Sequence, residues 1–178
     1  MLEVEVKYRV ENVDYVKSRL VKLGAKHIET VVEVDYYYQH PCRDFKKSDE
    51  ALRIRVSNGK YTLTYKGPRI PGAVKAREEI SVEFRDFKKL DTILRKLGFK
   101  HLATIVKKRD IYALGEFKIS VDEVEGLGEF IEIEHMGYTG TKGIQDVASK
   151  INHVIKCIGV KGPCILKSYL ELLLESKQ

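Results

Sequence analysis

No apolar run in the 178-residue chain approaches the roughly 18 to 20 residues needed to span a membrane. Nor do the opening residues form the basic-then-apolar pattern of a secretory signal, because Glu3 and Glu5 come almost at once. A cytoplasmic protein with no membrane partner is the expectation. Cysteine is scarce: Cys42, Cys157 and Cys164 are too few and too scattered for a disulfide framework or a CxxC metal site. His40, His135 and His153 have no zinc-ligand spacing. Asparagine and glutamine occur three times each against plentiful Lys and Glu, a balance that leans towards a heat-adapted protein. Charge is not one-sided either. Lys and Arg number 32 and Asp and Glu 26, a net +6 that suits an anionic partner. With 33% charged and 43% hydrophobic residues, general disorder is excluded. The length suits one domain, 1–178, with a real core.

A repeat organises the chain. Lys22-Leu23-Gly24-Ala25-Lys26-His27 returns 74 residues later as Lys96-Leu97-Gly98-Phe99-Lys100-His101. An amphipathic helix precedes each copy, built on Val13, Val16, Leu20 and Leu23 behind Asn12, and on Phe87, Leu90, Ile93, Leu94 and Leu97 behind Asp86. Both helices stop at a glycine suited to the left-handed position. Halves of about 1–70 and 75–140 follow, each a strand, a helix and further strands, joined by a turn-rich stretch at 67–72, with C-terminal helices over 143–176. Duplication within one domain accounts for the pattern, because neither half alone covers its apolar face.

Every strand carries the same division. Val4, Val6 and Tyr8 alternate with Glu3, Glu5, Lys7 and Arg9, and Ile131 and Ile133 alternate with Glu132 and Glu134. Arg53 and Arg55, Lys66, Arg77 and Glu79, Lys107 and Arg109, and Asp122 fall on the polar side of other strands. Two arrangements fit: an open sheet with a solvated charged face, or a barrel of about eight strands with helices outside and charges lining the bore. Arginine's planar fork suits multivalent oxyanions, and clustered carboxylates suit hard divalent cations. Together they describe surroundings for a metal–polyphosphate complex.

At this point the sequence resembles the CYTH superfamily, the triphosphate tunnel metalloenzymes. The resemblance rests on an ordered set: ExExK at Glu3-Val4-Glu5-Val6-Lys7, Asp35-x-Tyr37, Arg53-x-Arg55, Lys66-Gly67-Pro68, Arg77-x-Glu79, Lys107-x-Arg109, the stretch from Asp122 to Glu134, and Ser168-Tyr169. Local wording is most similar to class IV adenylyl cyclases. The implied fold is α+β, an eight-stranded antiparallel β-barrel with helices packed outside. The implied cofactor is Mg²⁺ or Mn²⁺, held by Glu3, Glu5, Glu132 and Glu134, with Asp122 added. Lys7, Arg53, Arg55, Lys66, Arg77, Lys107 and Arg109 would bind the triphosphate. Glu3, Glu5, Lys7 and Glu132 would form the catalytic centre. A cyclase would convert ATP to cyclic AMP and pyrophosphate; a triphosphatase would hydrolyse tripolyphosphate, thiamine triphosphate or a nucleoside triphosphate. The motifs serve both.

A non-catalytic polyphosphate or nucleic-acid binder is the contrasting class. No aromatic RNA-binding signature is present, and a binder has no need of paired acids, which repel a phosphate backbone. A homodimer is compatible with the composition. Tyr36–Tyr38 are expected mainly in packing, His27 and His101 as local capping groups, and 40–50 as a solvated loop rather than a lid.

Overall fold

A computed structural model describes residues 2–70, 75–136 and 144–177, with the side chains of Leu2, Glu3 and Ile144 outside that description. The strands are β1 (Leu2–Arg9), β2 (Lys26–Gln39), β3 (Ala51–Ser57), β4 (Lys60–Ile70), β5 (Lys75–Phe84), β6 (Lys100–Leu114), β7 (Phe117–Val124) and β8 (Gly128–His135). They close into an antiparallel barrel in the order β1-β5-β4-β3-β2-β6-β7-β8. The helices α1 (Val13–Lys22), α2 (Phe87–Lys96), α3 (Ile144–Ile158) and α4 (Tyr169–Ser176) lie outside the sheet. No described helix is long and apolar enough to cross a membrane.

The repeat is visible in the elements themselves. Helices α1 and α2 sit exchanged by the 74-residue offset, and the Asn12 and Asp86 side chains accept from Tyr15 N and Lys89 N as matching caps. Gly24 and Gly98 take φ of 84° and 89°, the left-handed geometry that ends both helices. Exchanging β1–β4 for β5–β8 returns the same cyclic strand order read in the opposite sense. That is the behaviour of a barrel with a pseudo-two-fold axis across it. Local contacts follow suit: His27 meets Thr30 at 3.2 Å and His101 meets Thr104 at 2.9 Å, each ring against the tyrosine opposite, Tyr112 and Tyr38.

Packing is unequal. Val4, Val6 and Tyr8 of β1, with β7 and β8 residues, are buried in one large cluster with Val16 and Leu20 of α1 and Val147, Ile151, Ile155 and Ile158 of α3. Helix α2 covers a smaller one around Tyr38, Ile54 and Leu94. Helix α4 lies across one end of the barrel, where Tyr169 packs on Tyr37, Ile105, Val124 and Phe130.

One local reading, the turn at 67–72, needs correction, and two other element limits have physical causes of their own. Strands β2 and β6 extend through 26–30 and 100–104, where the two pair as a ribbon with few buried side chains, so no alternation marks them. The turn-rich stretch continues β4 to Ile70, its Gly67 and Pro68 absorbed by a register shift between Lys66 and Arg69; residues 71–74 lie outside the described residues. The C-terminal helix begins at Tyr169 because Ser168 and Glu171 form a capping box.

Candidate active site

Strand alternation in a closed barrel sends one set of side chains inward. On β1 and β8 the register pairs Glu5 with Glu134 and Lys7 with Glu132. On β2, β3 and β6 it pairs Asp35 with Arg55, Tyr37 with Arg53, and Glu33 with Lys107. The bore holds a cavity of about 750 Å³ lined by Glu5, Lys7, Asp35, Arg53, Arg55, Lys66, Lys75, Arg77, Glu79, Lys107, Arg109, Glu132 and Glu134. The barrel alternative is therefore the observed one.

Two ion-pair networks divide the bore. In the first, Arg55 donates Nε and Nη2 to Asp35 at 2.7 and 2.8 Å and Nη1 to Glu33 at 3.0 Å. Lys107 Nζ bridges the same acids, 3.0 Å from Glu33 and 3.1 Å from Asp35. In the second, Arg109 forks onto Asp122 at 2.6 and 2.5 Å and reaches Glu132, whose other oxygen lies 3.2 Å from Lys7 Nζ. Lys75 donates to Glu5 at 2.5 Å, and Lys118 pairs with Glu134. Lys66 lies 2.8 Å from Glu79. Arg77 donates to Asp49 at 3.2 Å. The Nε groups of Arg53 and Arg77 are buried without a hydrogen-bond acceptor. A buried, unsatisfied guanidinium N–H is costly, and an oxyanion in the bore would satisfy it.

Protonation follows from this crowding. Burial would raise the Glu33 carboxyl, but Lys107, Arg55 and Arg109 outweigh it and hold the group at about 2. Asp35 is pushed well below the usual carboxylate range against burial by Arg55, Lys107 and Arg53. Glu132 is likewise lowered despite burial, chiefly by Lys7 and Arg109. Burial lowers Lys7 and Lys107, only partly countered by neighbouring acids. Burial also raises the Tyr169 hydroxyl well above its usual value, with Glu132 and Asp122 adding to the effect. Tyr169 therefore remains a donor.

Of the residues named from sequence, Glu5, Lys7, Arg53, Arg55, Lys66, Arg77, Lys107, Arg109, Glu132 and Glu134 come together in the bore. The Glu3 side chain lies outside the described residues, although its backbone pairs with Arg77. Asp122 is fully buried behind Arg109, with both oxygens taken by Arg109 and Tyr169. Arg9 leaves the network: its guanidinium donates to Leu127 O at 2.7 Å and lies over the Phe130 ring. Sequence reasoning missed Glu33 and Lys75, which keep the inward phase of their strands and were legible in principle. Tyr169 stood out only as part of the Ser168-Tyr169 match, with no role attached, because it sits on a helix and strand alternation says nothing of it. Its hydroxyl donates to Asp122 at 2.7 Å and its ring lies 3.8 Å from Lys7 Nζ. The 40–50 loop is more than solvated: Phe45 is buried, and Asp49 accepts from Arg69, which also holds Glu171 of α4 at 2.9 Å.

The donor set fits a hard divalent cation in kind, since Glu5, Glu132 and Glu134 offer carboxylate oxygens from adjacent strands. No three metal-ligating side chains converge as a ready-made site among the described residues. Mg²⁺ takes one or two carboxylates and fills its shell from phosphate and water.

A closed, charged antiparallel barrel with outer helices defines the class, and the chain belongs to the CYTH domain family, whose model matches residues 1–155. It is 41% identical to a Methanocaldococcus jannaschii protein, MJ0240, provisionally named an adenylate cyclase, over 97% of this chain and 98% of that one. It is 32% identical to adenylate cyclase CyaB of Aeromonas hydrophila, over 75% of this chain and 69% of the relative. Among solved structures, PH1819 of Pyrococcus horikoshii superimposes with a TM-score of 0.90 at 41% identity, covering 98% of this chain and 99% of the other. HpAC1 of Hippeastrum, provisionally called an adenylyl cyclase but described as dominantly a triphosphatase, shares the fold with a TM-score of 0.74 at 20% identity, covering 98% and 96%.

Proposed function

We propose that the protein is a divalent-metal-dependent enzyme that binds the triphosphate of a small substrate in its bore and converts ATP to cyclic AMP and pyrophosphate. The observation that carries the reading is the buried, acceptor-free Nε of Arg53 and of Arg77 among fixed bases, a surface that an oxyanion completes. The CyaB relative favours the cyclase over other triphosphate chemistry.

Arg53, Arg55, Lys66, Arg77, Lys107 and Arg109, with Lys7, bind and orient the phosphates. Glu5, Glu132 and Glu134, with Glu3, would hold Mg²⁺ or Mn²⁺. Bound there, the ion would neutralise phosphate charge and favour attack at phosphorus. Asp35 and Glu33 keep Arg55 and Lys107 in place, and Asp122 does the same for Arg109, so the bases arrive preorganised. No residue is assigned as a dedicated base. Hydrolysis of the triphosphate is the second reading, favoured by the activity described for HpAC1 and by machinery that would serve either nucleophile.

The test is product analysis with ATP, thiamine triphosphate and tripolyphosphate, each with Mg²⁺ or Mn²⁺ and with a chelator. Cyclic AMP and pyrophosphate are expected from ATP. Orthophosphate would select the triphosphatase, and no turnover of any of the three would remove both. In the same assay Glu5→Gln is expected to lower metal-supported turnover by orders of magnitude with unchanged circular dichroism; near-normal turnover would take Glu5 out of the metal site.

A further inference from the structure

A row of inward charges crosses four neighbouring strands and reads base, acid, acid, base. Lys75 of β5 is in register with Glu5 of β1, Glu5 with Glu134 of β8, and Glu134 with Lys118 of β7. Carboxylates set directly opposite each other repel, so the central pair depends on the cations at its flanks. Lys75 donates to Glu5 at 2.5 Å, and Lys118 pairs with Glu134. One step along the strands, Lys7 lies 3.2 Å from Glu132, which Arg109 also reaches. Glu5, Glu132 and Glu134, the carboxylates that suit a divalent ion, therefore each have a protein cation as partner.

The three lysines are not held alike. Lys7 also donates to Lys167 O at 3.1 Å and lies 3.8 Å from the centre of the Tyr169 ring. Lys118 is within reach of water, its side chain 39% exposed. The Lys75 side chain is 7% exposed, and among the described residues Glu5 is its one hydrogen-bond partner. A divalent ion drawn to Glu5 would compete with this ammonium for the same carboxylate. Buried as it is, the ammonium can leave only for another anion. Lys75 lines the cavity, so a phosphate oxygen in the bore is such an anion. We propose that Lys75 stands in for the divalent ion at Glu5 and yields the carboxylate when a polyphosphate arrives to take its ammonium. The inference rests on the triphosphate reading of the bore. Its consequence is that ion and polyphosphate enter as one complex, each tightening the other.

Mn²⁺ is the probe, followed by the paramagnetic resonance signal of the free ion. Alone, it is expected to bind the wild-type chain about tenfold more weakly than Lys75→Met or Lys75→Gln, which remove the competing charge. Lys75→Arg keeps the charge and should bind as weakly as wild type. With tripolyphosphate the order reverses. In calorimetric titration the preformed Mn²⁺–tripolyphosphate complex should bind wild type about fivefold more tightly than either uncharged variant. A lysine that merely supported the fold would move both affinities the same way. Uncharged variants with wild-type affinity for Mn²⁺ alone would overturn the proposal, as would variants that bind the complex as tightly as wild type does. A wild type that binds Mn²⁺ alone as tightly as the complex would overturn it without any variant. Each of these results leaves the divalent-ion assignment of the bore standing. If Mn²⁺ binds none of the proteins, with or without tripolyphosphate, that assignment falls and the proposal with it.

Discussion

Glu33 shows how a buried charge can stabilise this barrel, and how its contribution depends on pH. Its carboxyl is held at about 2 against a usual 4.5. A carboxyl lowered on folding stabilises the native state fully above its unfolded value and loses that stabilisation as pH falls through the folded one. The window therefore runs from about pH 4.5 down to about pH 2. Glu33→Gln is expected to cost on the order of 3 kcal/mol near neutrality, from the 1.36 kcal/mol equivalent of each pH unit. Denaturant melts should show the gap to wild type closing as pH approaches 2; a gap independent of pH would refute the linkage. Residues of this kind were only half legible. The inward phase of Lys107 and Arg109 follows from alternation, but which acid holds which base depends on strand register, and no single strand encodes that.

At the scale of elements, the limits of the two repeated helices were legible because caps, apolar spacing and terminal glycines agree, although Ile93 and Leu97 of the α2 apolar stripe are exposed rather than packed. Helix α4 was legible as a helix but not as part of the site. Its leucines announce burial, whereas the reach of Tyr169 to Asp122 depends on where the helix lies across the barrel end. Its start is fixed by Ser168, which accepts from Glu171 N while Glu171 accepts from Ser168 N, and Arg69 ties Glu171 to Asp49. Ser168→Ala is expected to destabilise α4 by about 1 kcal/mol. Hydrogen exchange should report this as faster exchange in α4 and the 44–50 loop with little change in α1 or α3. A uniform change across all helices would deny α4 its separate opening.

The molecule as a whole concentrates bases around a cavity of about 750 Å³. Burial lowers Lys107 most, and repulsion from Arg55 and Arg109 adds to it. A polyanion seated among them would relieve it, so the folded state should gain stability in proportion to ligand binding. Tripolyphosphate at a hundredfold excess over its dissociation constant is expected to add about 2.7 kcal/mol, read as a rise in melting temperature that weakens with added salt. An unchanged melting temperature would argue against an anion site in the bore. Alternation alone left this interior as one of two arrangements, and only the family resemblance pointed to the barrel; closure, with β1 paired to both β5 and β8, is what turns a charged face into a bore.

The pseudo-two-fold axis crosses the wall at two places, and the residue pairs found there share a property. Glu33 is in register with Lys107, and Glu3 is in register with Arg77, each residue opposite its own counterpart 74 positions on. In a barrel assembled from two identical chains, a side chain at such a point would meet its own copy, and any charge there would face a like charge at close range. One continuous chain lifts that restriction. The same position can be acidic on one side and basic on the other, and Glu33 indeed stands 3.0 Å from Lys107. Joining the halves thus let the interior become chemically lopsided, carboxylates against ammonium and guanidinium groups, without ever opposing a residue to itself.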